Sequence, residues 1–249
     1  MRRSRVLPMS FSVVIPARYA STRLPGKPLL DIAGKPMLQH TWERALLSGA
    51  TRVVIATDDN RILEAAKAFG ANVLMTAATH KSGSDRICEV VDALGLDDSE
   101  SVINVQADEP LIPPEAINQV AECLNLNTGF GIATLCEPIE DEREYSEPSS
   151  VKVVMDKTGR ALYFSRAPIP ASVSCPAECY RHIGIYAYRV GVLRQFVTWP
   201  VAAIEAVERL EQLRALYNGV PIHVSVAPVR IPPGVDTPED LAAVRAFLQ

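Results

Sequence analysis

The chain has 249 residues, 48% hydrophobic and 22% charged, so it can bury a full core and is not of disordered composition. Its formal net charge of -4 argues against a general nucleic-acid binder, which is usually basic. Clustered positive charge in such a chain is a local feature suited to a small anionic ligand.

The opening "MRRSRVLPMS" is basic but is followed by no long apolar region, so residues 1–9 are expected to form a short tail, with Met9 an alternative start. No apolar run approaches the ~18 residues of a membrane span. The five cysteines, Cys88, Cys123, Cys136, Cys175 and Cys179, are odd in number and scattered. Cys175 and Cys179 lack the second pair that a structural zinc site wants, and a reducing, cytoplasmic compartment is expected.

Phe11 to Ile15 reads as a buried strand, and the stretch "VVIPARYASTRLPGKPL" leaves it with Arg18, Arg23 and Lys27 among small residues. A helix is expected over Met37 to Ser48, a strand in "TRVVIATD", and a helix from Arg61 to Phe69 closed by Gly70. "ANVLMT" is a third strand. Ser84 to Leu94 puts Ile87, Val90, Val91 and Leu94 on one helical face, with Ser84 as its expected N-cap. "SVINVQADEP" is a strand with a polar end, and Pro114 to Leu124 a helix with proline in its first turn. From Pro138 to about Tyr188 the pattern changes to strand-like runs, including "SVKVVMD", "RALYFSR" and "RHIGIYAYR", which predict an antiparallel excursion outside the main sheet. One long helix is expected over Ala203 to Tyr217, then the strand "PIHVSVAPV", then a last helix with Thr237 as N-cap and Pro238 at its first position.

Such alternation implies an α/β fold with a mostly parallel sheet, whose ligands bind beyond the carboxyl ends of the strands. The cationic loop, Asp58 and "QADEP" all fall at such ends. Pro16, Pro25 and Pro28 restrict the loop, and Gly26 permits close approach of a ligand. Several cations held at different angles suit a polyphosphate, although the loop matches neither a P-loop nor a dinucleotide fingerprint. Asp108 and Asp236, far apart in sequence but both near strand ends, suit Mg²⁺ held by one or two carboxylates plus substrate phosphates. Taken alone, the loop cations read first as solvated, until their place after a buried strand is counted, and each carboxylate reads equally as a turn cap. "HKSGSDR" is a helix start that could also offer hydroxyl and backbone groups to a base or ribose.

Eight segments, "IPARYASTRLPGKPL", "ATDD", "HKSGSDR", "NVQADEP", "LYFSRAPIP", "RHIGIYAYR", "LEQLR" and "GVDTPEDL", occur in an order that resembles the 3-deoxy-manno-octulosonate cytidylyltransferases, or CMP-Kdo synthetases. The resemblance runs from about Ser10 to the end of the chain. It implies a Rossmann-like three-layer nucleotidyltransferase fold in one domain over 10–249, with 138–188 as an antiparallel subdomain used for homodimerisation. It implies CMP transfer from CTP to the 2-hydroxyl of Kdo with Mg²⁺, which activates Kdo for lipopolysaccharide synthesis. By family position, Arg18, Arg23 and Lys27 would neutralise the triphosphate, and Asp108 and Asp236 would hold the metal. Ala17, Ser82 and Ser84 would lie by the nucleoside. Gln106, Arg166, His182, Tyr186, Glu211 and Gln212 would bind Kdo. His182 in an apolar strand has an equally simple structural reading, and Glu211 borders the apolar stripe expected for its helix. The family usually has glycine where this chain has Ala107, which excludes a glycine-only backbone there. Competing readings are the same chemistry on 8-amino-8-deoxy-Kdo or a sialic acid, a related enzyme making CDP-methylerythritol, and a non-catalytic nucleotide-binding module.

Overall fold

The computed structural model describes residues 10–20, 24–172, 174–175 and 177–248. The strands are β1 (Phe11–Ala17), β2 (Asp31–Ile32), β3 (Lys35–Pro36), β4 (Arg52–Thr57), β5 (Asn72–Met75), β6 (Ser101–Asn104), β7 (Ile132–Pro138), β8 (Lys152–Met155), β9 (Ala161–Ser165), β10 (Tyr180–Arg189) and β11 (Ile222–Val226). The helices are α1 (Met37–Leu46), α2 (Asn60–Ala68), α3 (Gly83–Ala93), α4 (Pro114–Leu126), α5 (Glu142–Ser146), α6 (Val190–Phe196), α7 (Ala203–Glu208), α8 (Leu213–Tyr217) and α9 (Pro238–Leu248).

The central path of the main sheet runs β11-β7-β10-β6-β1-β4-β5. β1 pairs in parallel with β4 and β6, β4 with β5, and β11 with β7. Pleating sends alternate residues to opposite faces. Val13, Ile15 and Ile103 therefore pack with α1, α2 and α4, while Val14 and Val102 pack with α3, α6 and α8. The result is a three-layer α/β sandwich. Each fully buried Val or Ile in it contributes about 1.5–3 kcal/mol.

"RHIGIYAYR" does not lie outside the main sheet. It forms β10, which is inserted between β6 and β7 and runs antiparallel to both. Ile183 and Ile185 belong to the core, because a strand flanked on both edges and covered on both faces is the best-buried place in the fold. The excursion proper is the β8–β9 hairpin, attached to the start of β10. Because β10 runs backwards, its first residues share the sheet edge where β1, β4 and β6 end.

The expected helix over Ala203 to Tyr217 is also corrected. It breaks into α7 and α8 at Arg209, which takes a left-handed backbone with φ 54° and ψ 46°. Val207, which a continuous helix would place on one apolar stripe with Ile204 and Leu210, is 83% exposed. Several contacts hold the break. The Glu205 carboxylate bonds the Arg214 guanidinium at 2.6 and 2.9 Å and the Ala202 N–H at 3.0 Å. Arg166 donates from Nε to the Glu208 carbonyl at 2.9 Å, and the Glu208 carboxylate accepts from Ser165 Oγ and the Arg166 N–H. These tertiary bonds outweigh the helical periodicity of the segment.

Candidate active site

β1 delivers the chain to the cationic loop, which returns through Gly26 at φ 67°. The left-handed backbone favours glycine there, and a Cβ would stand 3.0 Å from the end of the Tyr19 ring, which would have to give way. The turn starts a short 3-10 helix, Lys27–Leu29, and aims Lys27 back across the end of the sheet. There its Nζ bonds both the Asp108 and the Asp236 carboxylates, the latter at 2.9 Å. Burial works against the Lys27 ammonium, but the two carboxylates prevail and raise its pKa above the ordinary lysine value. Thus two carboxylates separated by more than a hundred residues converge on a single cation. Arg18 turns the other way and donates to the carbonyls of His80, Lys81 and Ser82 at 2.8, 3.2 and 2.9 Å. It ties the loop to the turn before α3. Arg23 lies outside the described residues.

α3 begins one turn-residue earlier than its periodicity suggests. Ser82, not Ser84, is the N-cap, because Asp85 three residues on completes a capping box with it. Ser84 is fully buried and donates to Glu211 Oε2 at 3.0 Å.

Two of the cavities that open on this edge meet at the acidic pair. The smaller, about 450 Å³, is lined by Pro16, Arg18, Lys27, Ser82 and Gly83 among others. The larger, about 850 Å³, is lined by Glu109, Arg181, His182, Tyr186 and the segment around Gly234. Gln106, Asp108 and Asp236 line both. The acidic pair and its lysine therefore stand where two binding volumes meet, which is the geometry a group transfer between two substrates needs.

The residues expected around the sugar divide into three groups. Gln106, His182 and Tyr186 face the larger cavity. Glu211 and Gln212 lie in the break between α7 and α8, with Glu211 Oε1 and Gln212 Nε2 buried and lacking hydrogen-bond partners. Burial raises the Glu211 carboxyl above the usual carboxylate range, against the hydrogen bonds from Ser82 and Ser84. Arg166 does not line the cavity. Its guanidinium is spent on the carbonyls of Pro148, Glu208 and Arg209. Of the nucleoside residues, Ser82 lines the smaller cavity, whereas Ser84 faces Glu211 and the Ala17 side chain is in the core. Pro16 and Arg18 take the place expected for Ala17.

His182 is held neutral, since burial pushes its imidazole down to about 3. It exchanges a hydrogen bond with Thr134 Oγ1 at 3.0 Å and touches the Phe164 and Tyr186 rings. Burial drives the Tyr186 hydroxyl well above its usual range, so it is a neutral donor. Glu109, beside Asp108, is lifted to about 8 by burial and then by the Asp108 charge. Ala107 keeps an ordinary backbone and its carbonyl accepts from Thr41 Oγ1 at 3.2 Å, so the methyl group is accommodated without strain.

Sequence reasoning passed over Glu109 and Arg181 as members of the site. Glu109 sits in the quoted "NVQADEP" and Arg181 precedes His182, but neither stands out without the cavity. Arg181 is paired with Glu137 at 2.6 Å and donates to the Ile231 carbonyl, which holds the 230–235 segment over the pocket.

Comparison with known proteins agrees with this geometry. A family model described as cytidylyltransferase matches residues 12–224. A 3-deoxy-manno-octulosonate cytidylyltransferase of Marinobacter nauticus is 59% identical, covering 97% of this chain and 98% of its own. One of Hahella chejuensis is 56% identical over 96% of this chain and 98% of its own. The solved structure of a CMP:2-keto-3-deoxy-manno-octonic acid synthetase complexed with CTP superposes with a TM-score of 0.89 at 45% identity, covering 96% of this chain and 98% of that one. A 4-diphosphocytidyl-2C-methyl-D-erythritol synthase, at 14% identity and a TM-score of 0.66, shares the fold alone. A loop lysine set between two carboxylates, on a sheet of this topology and in a chain this similar to named relatives, leads to one assignment: the chain belongs to the cytidylyltransferase family.

Proposed function

We propose that the chain transfers CMP from CTP to the 2-hydroxyl of Kdo and releases pyrophosphate. The observation that carries this is the meeting of two cavities at Asp108, Asp236 and Gln106. CTP is assigned to the smaller cavity, whose cations suit a triphosphate. Kdo is assigned to the larger one, whose neutral His182 and Tyr186 and amide of Gln106 suit a polyhydroxylated acid.

The reaction needs no side-chain nucleophile, because the sugar hydroxyl attacks the α-phosphorus in line. Lys27 neutralises charge that builds on the departing pyrophosphate, and its position is set in advance by Gly26. Arg18 positions the Ser82 turn against the nucleoside. Asp108 and Asp236 would hold Mg²⁺. Their fit is tested by the chain itself, since both carboxylates already gather on the Lys27 ammonium. When bound, the metal would polarise phosphate oxygens and acidify the attacking hydroxyl. Gln106, which faces both cavities, orients the acceptor beside the α-phosphate.

Pyrophosphate release from CTP, measured with Kdo, 8-amino-8-deoxy-Kdo and a sialic acid, tests the assignment. Release that depends on Kdo is expected. Release with a different acid only would move the acceptor, and none with any acid would leave a nucleotide-binding module.

A homodimer formed through residues 138–188 is proposed on the family resemblance. The ribbon itself packs against its own chain, with Phe164 fully buried, while Leu162 stays 60% exposed on β9. Among the described residues no helix is long and apolar enough to cross a membrane. A cytoplasmic setting is proposed on the cysteine pattern, five scattered thiols with no disulfide among them.

A further inference from the structure

Glu109 lines the larger cavity and takes no part in the steps above. Its Oε2 is buried and has no hydrogen-bond partner. Native proteins seldom leave such an atom unpaired, so a bound ligand or an ordered water has to supply its partner. The surroundings leave room for one. A Cβ at Gly184, on β10, would stand 3.9 Å from Glu109 Oε1, and a Cβ at Gly234 would stand 3.5 Å from its Cγ. Both glycines therefore border the Glu109 side chain, and neither carries a side chain of its own that could bond its carboxyl group.

The nearby charged groups are committed elsewhere. The Arg181 guanidinium is used by Glu137 at 2.6 and 3.1 Å, by the Ile231 carbonyl at 3.0 Å and by Glu144 at 3.5 Å. The Lys27 ammonium is used by Asp108 and Asp236. What remains to satisfy Glu109 is whatever fills the cavity, and the cavity shares Asp108, Asp236 and Gln106 with the nucleotide pocket.

We propose that Glu109 is an acceptor-binding residue, whose free carboxyl oxygen exchanges a hydrogen bond with one hydroxyl of the acid sugar and so selects acids that carry that hydroxyl. This rests on the assignment of Kdo to the larger cavity. A site built to bond a hydroxyl rejects the analogue lacking it, because its own polar atom is then left buried and unpaired.

The test uses the full chain with Glu109→Ala and Glu109→Gln. It measures kcat/KM for Kdo and for a set of Kdo analogues each lacking one hydroxyl, and CTP affinity by calorimetry without any sugar. In Glu109→Ala, kcat/KM for Kdo should fall about 10- to 100-fold, and less in Glu109→Gln, which keeps an acceptor. CTP affinity should stay within about two-fold. One analogue, poor for the wild type, should be used by Glu109→Ala nearly as well as Kdo. Equal discrimination in wild type and variant would overturn the proposal. So would a parallel loss of CTP affinity, a changed Mg²⁺ requirement, or failure of the nearly isosteric Glu109→Gln to fold. Wild-type turnover of Kdo reports separately on the assignment beneath it. With turnover present and discrimination unchanged, only Glu109 is removed; without turnover, both fall.

Discussion

Lys27 and its two carboxylates form a set in which each member answers for a different loss. Asp108→Asn and Asp236→Asn should each lower kcat by at least about 100-fold while the fold is kept, since a lost metal ligand costs several kcal/mol in the transition state. Circular dichroism and single-turnover rates at limiting Mg²⁺ check this; near-normal rates would take that residue out of the metal site. Lys27→Ala should lower kcat/KM for CTP about 10- to 100-fold, with a smaller effect on the Kdo requirement. An effect on Kdo alone would place the cationic loop in the wrong pocket. Glu211 has a double position. It was expected to act on the sugar alone, but it accepts from Ser84 beside the α3 N-terminus. Glu211→Gln should therefore weaken Kdo use most and disturb CTP affinity measurably, by about two- to five-fold. At this scale the charged pattern was legible in the sequence, because residue type and strand-end position are local facts. The commitment of Arg166 to backbone carbonyls was not, because it depends on where the α7–α8 break falls.

Two short elements set those residues in place. The loop after β1 depends on Gly26, and Gly26→Ala should both strain the left-handed turn by about 1–2 kcal/mol and press on the Tyr19 ring. Loss of urea stability together with a raised CTP requirement is expected; an unchanged protein would mean that the loop re-forms around the methyl. The break between α7 and α8 is the other. Arg209 is exposed and left-handed, so glycine should be neutral or stabilising there, whereas Arg209→Val should destabilise by about 1–2 kcal/mol. Equal stability of the two variants in urea would show that the helix can run straight through. The capping box of α3 was within reach of the sequence, since Ser82 and Asp85 have the required spacing. The helix break was not, because its apolar spacing imitates a continuous amphipathic helix while a buried Glu205–Arg214 pair and Arg166 stop it.

Over the whole molecule, one buried base should govern part of the response to acid. His182 binds a proton only near pH 3 when folded, against an ordinary value of 6.5, and its ring neighbours Thr134, Phe164 and Tyr186 supply no anion to offset protonation. Between these values the unfolded chain binds more protons, so this stability is complete above about pH 6.5 and is lost as pH falls through the window. Urea unfolding at about pH 7 and about pH 5 should show a larger loss for the wild type than for His182→Gln; parallel losses would mean that the imidazole is not buried as described. Light scattering decides the assembly, with a dimer expected and a monomer removing the family expectation. The parallel α/β layout, its functional edge and a site suited to a polyphosphate were determined by the sequence itself, since strand length, turn residues and charge at strand ends are read over a few neighbours; the nucleotide chemistry came from the resemblance of eight ordered segments to one family. Only the tertiary structure decided that β10 enters the sheet backwards between β6 and β7, carrying His182 and Tyr186 to the edge where Asp108 follows the end of β6. Strand direction and neighbour are settled by pairing across more than eighty residues of chain, from Asn104 to Tyr186, and by which face each buries, and no local spacing encodes either.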